Sequence, residues 1–301
     1  MLFKNITRCI STNNVLWQAS NKSLLAKLRK KTGYTFANCK KALELHENDV
    51  EKAEKWLRDQ AQALGWSKAQ KLQGRTTSQG LIAVITNQAH GALIEINCET
   101  DFVAKNKDFH GLAEVVADAV LKHNLSVGLN GHNRFMLDAD ALKSLSAHDG
   151  ISVADHSALA IGTLGENIAV KRALCMSVPN DVHLVGFSHP AASEPGKVLY
   201  GKYGALLAFK TQDDPIELGK QLCQHIIGMN PTKIGNPEVD EPAQSSDDEA
   251  TLIHQEFILD PTIKVQQLLD ETNTQILDFA RFEMGESIEG QQDLDAVETA
   301  G

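Results

Sequence analysis

The stretch that decides the reading is Asn97-Cys98-Glu99-Thr100-Asp101-Phe102-Val103-Ala104-Lys105-Asn106. Just before it, Ala92-Leu93-Ile94-Glu95-Ile96 alternates loosely and carries β-branched residues, which predicts a strand. Just after it, Phe109, Leu112, Val115, Val116, Ala119 and Val120 recur at helical spacing. Thr100-Asp101-Phe102 therefore falls where a strand gives way to a helix. Two readings of that turn stand side by side. In one, Thr100 or Asp101 caps the helix and Phe102 packs beneath it. In the other, a carboxylate and a large ring are offered together to a partner's polar pocket and apolar slot.

Working outward, Leu81–Thr86 reads as a strand joined to 92–97 through Asn87-Gln88-Ala89-His90-Gly91, a β-hairpin. The pattern recurs weakly further on. Gly204-Ala205-Leu206-Leu207-Ala208-Phe209 leads to a second helix, with Asp214 as cap and Pro215 at its first position. Leu222, Ile226 and Ile227 would form that helix's inner face, and residues 182–187 would pair with 203–209. The expected fold class is α+β: an N-terminal three-helix module, then two similar α+β subdomains with antiparallel β-hairpins, over 81–180 and 181–289.

Residues 21–65 supply the three short helices. Leu24, Leu25 and Leu28 line the first, which Gly33-Tyr34 breaks; Thr35 caps the second, with Phe36, Cys39, Ala42 and Leu43 facing inward. Asn48 with Glu51 resembles a capping box for the third. Its apolar side is Val50, Ala53, Trp56, Leu57 and Leu64, and Gly65 suits its end. Residues 66–80 are polar and without sustained period, and read as a linker. Asp260-Pro261 suits the start of a helix running towards Leu268-Leu269.

Composition narrows the function classes. The net charge of −10 is unevenly distributed: residues 1–75 hold 15 Lys and Arg against 6 Asp and Glu, whereas 238–301 hold 17 acidic residues against Lys264 and Arg281. The acidic end would repel phosphate backbones, so no direct nucleic-acid ligand is expected. The basic front end could meet an acidic protein surface. Nothing approaches the roughly 18 consecutive apolar residues of a membrane span. No acidic residue precedes Glu44, and Lys4 and Arg8 stand among Ser, Thr, Asn and apolar residues, as in a mitochondrial transit peptide over 1–20. The five cysteines are scattered without a CxxC pair, and the eleven histidines lack metal-ligand spacing, as expected of buried thiols and surface histidines. There is no phosphate-binding GxxxxGK[ST] loop, HExxH, GxSxG or dinucleotide fingerprint, so no cofactor, metal or active site is expected.

The run Thr100-Asp101-Phe102-Val103-Ala104-Lys105-Asn106 closely resembles the signature of elongation factor Ts, the guanine-nucleotide exchange factor of elongation factor Tu. Gly165-Glu166-Asn167, followed by Ile168-Ala169-Val170-Lys171-Arg172, resembles the second family signature. Phe279-Ala280-Arg281-Phe282-Glu283-Met284-Gly285-Glu286 resembles the third. The resemblance covers about residues 24–289. It implies a mitochondrial-matrix factor that pairs one-to-one with mitochondrial elongation factor Tu, using Asp101 and Phe102 as the exchange wedge near the partner's Mg²⁺. It also implies docking through Arg29, Phe36 and Lys40 of the helical module. Thr100, Val103, Lys105, Asn106, Gly165, Glu166, Asn167, Arg281, Phe282 and Glu283 are motif positions read as structural.

One departure is that bacterial members carry a long helical hairpin where this chain has Pro237 to Glu249. That segment is short and acidic and is expected to be disordered, as is the acidic tail over 290–301. The helical module also resembles the ubiquitin-associated type, through Gly33-Tyr34, which leaves a ubiquitin-binding adaptor as an alternative. A thiol enzyme using Cys39 or Cys98 would need a suitably spaced histidine that the sequence does not offer.

Overall fold

The computed structural model describes residues 23–32, 34–127, 131–191 and 196–286, and the chain divides into two compact units at residues 67 and 68. The expected transit peptide, the acidic tail, Cys9 and Gly33 lie outside the described residues.

The first unit holds α1 (23–32), α2 (Phe36–Leu45) and most of α3 (Val50–Leu72). Leu28, Cys39, Ala42, Leu43, Ala53 and Leu57 form its small core, flanked by Leu24, Leu25, Val50 and Trp56. Thr35 caps α2 by accepting from the Asn38 N–H at 3.3 Å. Three expectations need correction. Glu47 and Asn48 both have positive φ (52° and 64°), which makes them turn residues and shifts the cap by one. Asp49 takes that role, its Oδ1 accepting from the Glu51 and Lys52 N–H groups at 3.1 Å. Gly65 does not end α3, which runs on to Leu72; a single helical glycine costs only about 1 kcal/mol, and the packing of Ala69 and Leu72 in the second unit outweighs it. Leu64 and Phe36 are exposed rather than inward-facing.

The second unit is built from β1 (Gln79–Asn87), β2 (His90–Cys98), α4 (Asp101–Ala104), α5 (Lys107–Ser126), β3 (Asn133–Leu137), α6 (Ala139–Ser144), α7 (Val153–Leu164) and β4 (Ile168–Ser177). There follow β5 (His183–His189), β6 (Val198–Gly201), β7 (Tyr203–Lys210), α8 (Pro215–Met229), β8 (Glu256–Phe257), β9 (Asp260–Lys264), α9 (Val265–Glu271) and β10 (Gln275–Glu283). One antiparallel sheet has the order β3-β4-β2-β1-β6, a second β10-β7-β5, and β8-β9 form a small ribbon. Both expected hairpins are present, β1 with β2 and β5 with β7. The first closes more tightly than expected, through Gln88-Ala89 with Gln88 at φ 44°.

Three apolar layers hold the unit together. Phe109, Leu112, Val116 and Val120 of α5 pack on one face of the first sheet with Ile161 of α7. Leu222, Cys223 and Ile226 of α8 pack on the outer face of the second sheet. Between the sheets lie Ile82, Val84, Leu93, Leu174 and Met176 from the first and Leu184, Leu206, Ala208 and Phe282 from the second. The two halves therefore stack helix, sheet, sheet, helix. Gly204 permits this closeness: a Cβ there would lie 2.6 Å from Ile82 Cγ2 and 2.8 Å from Val84 Cγ2.

Two further expectations differ from the structure. Asp260-Pro261 begins strand β9, not a helix, and α9 starts at Val265. Pro261 is tolerated because the ribbon pairs only Glu256 with Lys264 and Phe257 with Asp260, so its missing N–H interrupts no ladder. The acidic segment is also more ordered than its composition suggests. Its carboxylates serve backbone donors: Asp240 accepts from Asn236 N–H at 2.7 Å, and Glu249 accepts from Ala243 and Thr251 N–H at 2.8 Å. Lys233 pairs with Asp240, and Gln255 Nε2 donates to the Glu249 carbonyl at 2.8 Å.

Candidate functional site

The decisive turn is a tertiary construction. Strands β2 and β4 pair as far as Cys98 opposite Ile168. Beyond that last pair, each strand end gives a carboxylate to the other's backbone. Glu99 Oε1 accepts from the Asn167 N–H at 2.7 Å, while Glu166 Oε2 accepts from the Thr100 N–H at 3.0 Å. The Thr100 hydroxyl donates to Glu166 Oε1 at 2.6 Å, and Thr100 Oγ1 accepts from the Val103 N–H at 3.4 Å, capping α4. Asn167 Nδ2 donates to the Arg75 carbonyl at 2.9 Å, and Arg75 stands 3.5 Å from Glu99. Gly165, in the left-handed conformation at φ 79°, ends α7 and delivers Glu166 to the site.

Only Val103 of α4 is buried, with Ala104 partly covered; both pack into the core beneath α5. Phe102 is 82% exposed, the most exposed large apolar side chain among the described residues. Packing beneath the helix is thus excluded for Phe102, while the capping half of that reading holds for Thr100. Asp101 points to solvent and pairs with Lys105 at 3.1 Å. Asn106 caps α5 through the Asp108 N–H at 2.8 Å, and His110 Nε2 contacts the Ala104 carbonyl at 3.0 Å while stacking on Tyr200. Leaving a phenylalanine in water forgoes about 1.5–3 kcal/mol of burial, so its display has a cost that folding does not offset locally.

The third signature does not reach this turn. Its residues fasten the C-terminal strand across the two sheets. Glu95 is fully buried in β2 and meets Arg172 Nε at 2.7 Å; its other oxygen accepts from the Gly285 N–H at 2.9 Å. The Arg172 guanidinium lies 4.1 Å from the Phe282 ring and pairs with Glu286 at 3.1 Å. Arg281 stacks over Tyr203 and pairs with Glu283 at 2.9 Å. Sequence reading passed over Glu95 and Arg172. The available signal was a carboxylate between Leu93 and Asn97 on a strand whose two faces are both apolar, and a buried charge demands a partner.

In the first unit, Phe36 and Lys40 stand one turn apart on α2 and both are exposed, Lys40 at 3.7 Å from Glu44; Arg29 of α1 is exposed as well. Among the described residues no cluster of His, Cys, Asp and Glu could hold a metal ion, and no helix is long and apolar enough to cross a membrane. Burial pushes the Cys98 thiol up to about 11, which disfavours the thiolate a nucleophile needs. His225 departs from the expected surface histidines: it is buried on α8, with Nε2 3.0 Å from Gln255 Oε1 and Nδ1 accepting from the Ile258 N–H.

These residues define a protein that presents an exposed aromatic ring and carboxylate on a hydrogen-bonded turn. Residues 7–67 match the family model for the N-terminal domain of mitochondrial elongation factor Ts, and residues 99–250 and 243–286 match that for elongation factor Ts. The chain is 47% identical over 296 residues to mitochondrial elongation factor Ts of Aedes aegypti, covering 96% of each chain. It is 46% identical over 310 residues to that of Drosophila melanogaster (99% and 97% covered), and 42% over 277 residues to that of Rattus norvegicus (89% and 85%). The chain belongs to the elongation factor Ts family, among translation elongation factors whose named relatives are mitochondrial. The model matched by the helical module is of the same family as that matched by the rest of the chain.

Proposed function

We propose that the chain acts in the mitochondrial matrix as the nucleotide-exchange factor of elongation factor Tu, pairing one-to-one with its GDP-bound form, releasing GDP and so admitting GTP. It does so as a binding protein, without an active site of its own. The observation that carries this reading is the clamped turn that holds Asp101 and an 82% exposed Phe102 in solvent. Phe102 enters an apolar slot of the GTPase, and Asp101 perturbs the polar network around the partner's Mg²⁺, the ion that ties GDP's phosphates to that protein. Arg29, Phe36 and Lys40 dock the helical module and chiefly set orientation and association rate. Thr100, Val103, Asn106, Gly165, Glu166 and Asn167 support the tip, while Arg281, Phe282 and Glu283 hold the C-terminal strand.

Coupling between the two ligands must be reciprocal: a factor that weakens GDP is itself weakened by GDP to the same extent. Titrating the chain against nucleotide-free and GDP-saturated elongation factor Tu by calorimetry tests this. Affinity should be at least tenfold lower with GDP, about 1.4 kcal/mol of coupling. Equal affinities would overturn the proposal, since a ligand that does not discriminate between the two states cannot displace GDP.

A further inference from the structure

We infer that Glu166, supported by Glu99, is a positioning residue of the exchange tip: through Thr100 it fixes the direction in which Asp101 and Phe102 leave the protein. The inference rests on the exchange reading above and assigns to the second signature a part in that function.

Helix α4 is four residues long and has little of its own to hold it. A single turn is a costly nucleus, and here it gains one α-type backbone bond, Ala104 N–H to the Thr100 carbonyl at 3.2 Å. Its apolar anchor is Val103, and the exposed Asp101–Lys105 pair contributes little. Against this stands a carboxylate from across the sheet that receives both the N–H and the hydroxyl of Thr100, the residue immediately before the tip. Bonds to a charged acceptor are about twice as strong as neutral ones. The bond from Asn167 N–H to Glu99 makes the arrangement reciprocal, so neither strand end can swing without releasing the other's carboxylate. A ring held in one direction before it meets its slot avoids the ordering cost that a mobile ring would incur on binding.

The test is release of a fluorescent GDP analogue from purified elongation factor Tu, measured against concentration of the full chain to separate the saturating rate from the half-saturating concentration. Glu166→Ala should lower the saturating rate about tenfold and leave half-saturation within twofold, because the docking surface is untouched. Glu166→Gln should stay within about threefold of the parent: its oxygen can accept from the Thr100 N–H while its amide donates to the hydroxyl oxygen. A purely structural role would lower melting temperature without this split and without the glutamine rescue. Should Glu166→Ala fail to fold, Thr100→Val keeps the bond from the Thr100 N–H to Glu166 but removes the hydroxyl arm together with its cap on the Val103 N–H, and should lower the saturating rate threefold or more.

Amide hydrogen exchange on the free chain gives a second readout. Protection should fall at Val103 and Ala104 in the alanine variant while β2 and β4 keep theirs. An alanine variant, or failing that a valine variant, with the parent's saturating rate would overturn the inference while leaving the exchange reading standing. A folded parent that does not accelerate release would remove the exchange reading. In that case retained protection at Val103 and Ala104 in the variant would also remove the clamp.

Discussion

The two halves of the second unit each run from a strand into a helix, and they make the corner in opposite ways. After β2, Thr100 caps α4, Asp101 is its first residue and Phe102 its second; after β7, Asp214 caps α8, Pro215 is first and Ile216 second. Both second positions are exposed, Phe102 at 82% and Ile216 at 56%. Asp214, however, caps locally, accepting from the Ile216 N–H at 2.9 Å, and α8 continues for 15 residues over its own apolar face. The first corner stops after four residues, with its cap held by Glu166 from the turn that leads into β4. A self-sufficient helix start needs no outside support. A four-residue turn that leaves its second residue exposed is tied to a distant carboxylate instead.

The comparison can be stressed first at its anchor. Arg172→Ala would leave Glu95 buried and unpaired between the sheets, and loss of one partner of a buried pair costs about 3–5 kcal/mol. Urea unfolding should show this, whereas Lys105→Ala, which breaks the exposed pair beside the tip, should change stability by less than about 0.5 kcal/mol.

Acid should act next, and through the second half. Burial lowers the pKa of His225 to about 4, well below the ordinary value of 6.5, against a smaller raising effect of its bond to Gln255. Below pH 6.5 the unfolded chain therefore takes up a proton that the folded one refuses, so stability falls from pH 6.5 towards pH 4 and this contribution levels off below it. The full step is worth about 3 kcal/mol. Unfolding free energies measured from pH 7 to 4 should fall more steeply for the parent than for His225→Leu; parallel profiles would refute the assignment.

Smaller effects separate the two corners themselves. Asp214→Ala removes a local cap and should cost about 1 kcal/mol by chemical denaturation, with nucleotide exchange unchanged. Ile216→Ala should alter neither stability by more than about 0.5 kcal/mol nor the exchange rate by more than twofold. A large loss of exchange in Ile216→Ala would make the second corner a working tip as well and dissolve the contrast.

Local chemistry was legible in the sequence where neighbours in the chain decide the structure. The alternation at 92–97, the spacing from Phe109 to Val120 and the Asp214-Pro215 start all name their elements. Gly65 and Pro261 misled because each is a weak local signal that surrounding structure overrides: continued packing of α3 for one, an unpaired ribbon position for the other. The acidic segment misled because composition counts charges without showing that Asp240 and Glu249 satisfy backbone donors. The signature singled out Asp101 and Phe102, and the structure leaves both exposed. The support of Glu166 for Thr100 and of Arg172 for Glu95 was not legible, since each joins residues far apart in the chain.

The central claim is that the tip promotes GDP release, and its most direct measurement is stopped-flow release of a fluorescent GDP analogue from mitochondrial elongation factor Tu. The parent chain and an Asp101→Ala/Phe102→Ala double variant should be compared at saturating concentration. Both side chains are exposed, so the variant should fold with an unchanged melting temperature. The parent should accelerate release at least tenfold, and the double variant should lose nearly all of that acceleration. A double variant as active as the parent, or a folded parent that leaves the release rate unchanged, would contradict the claim.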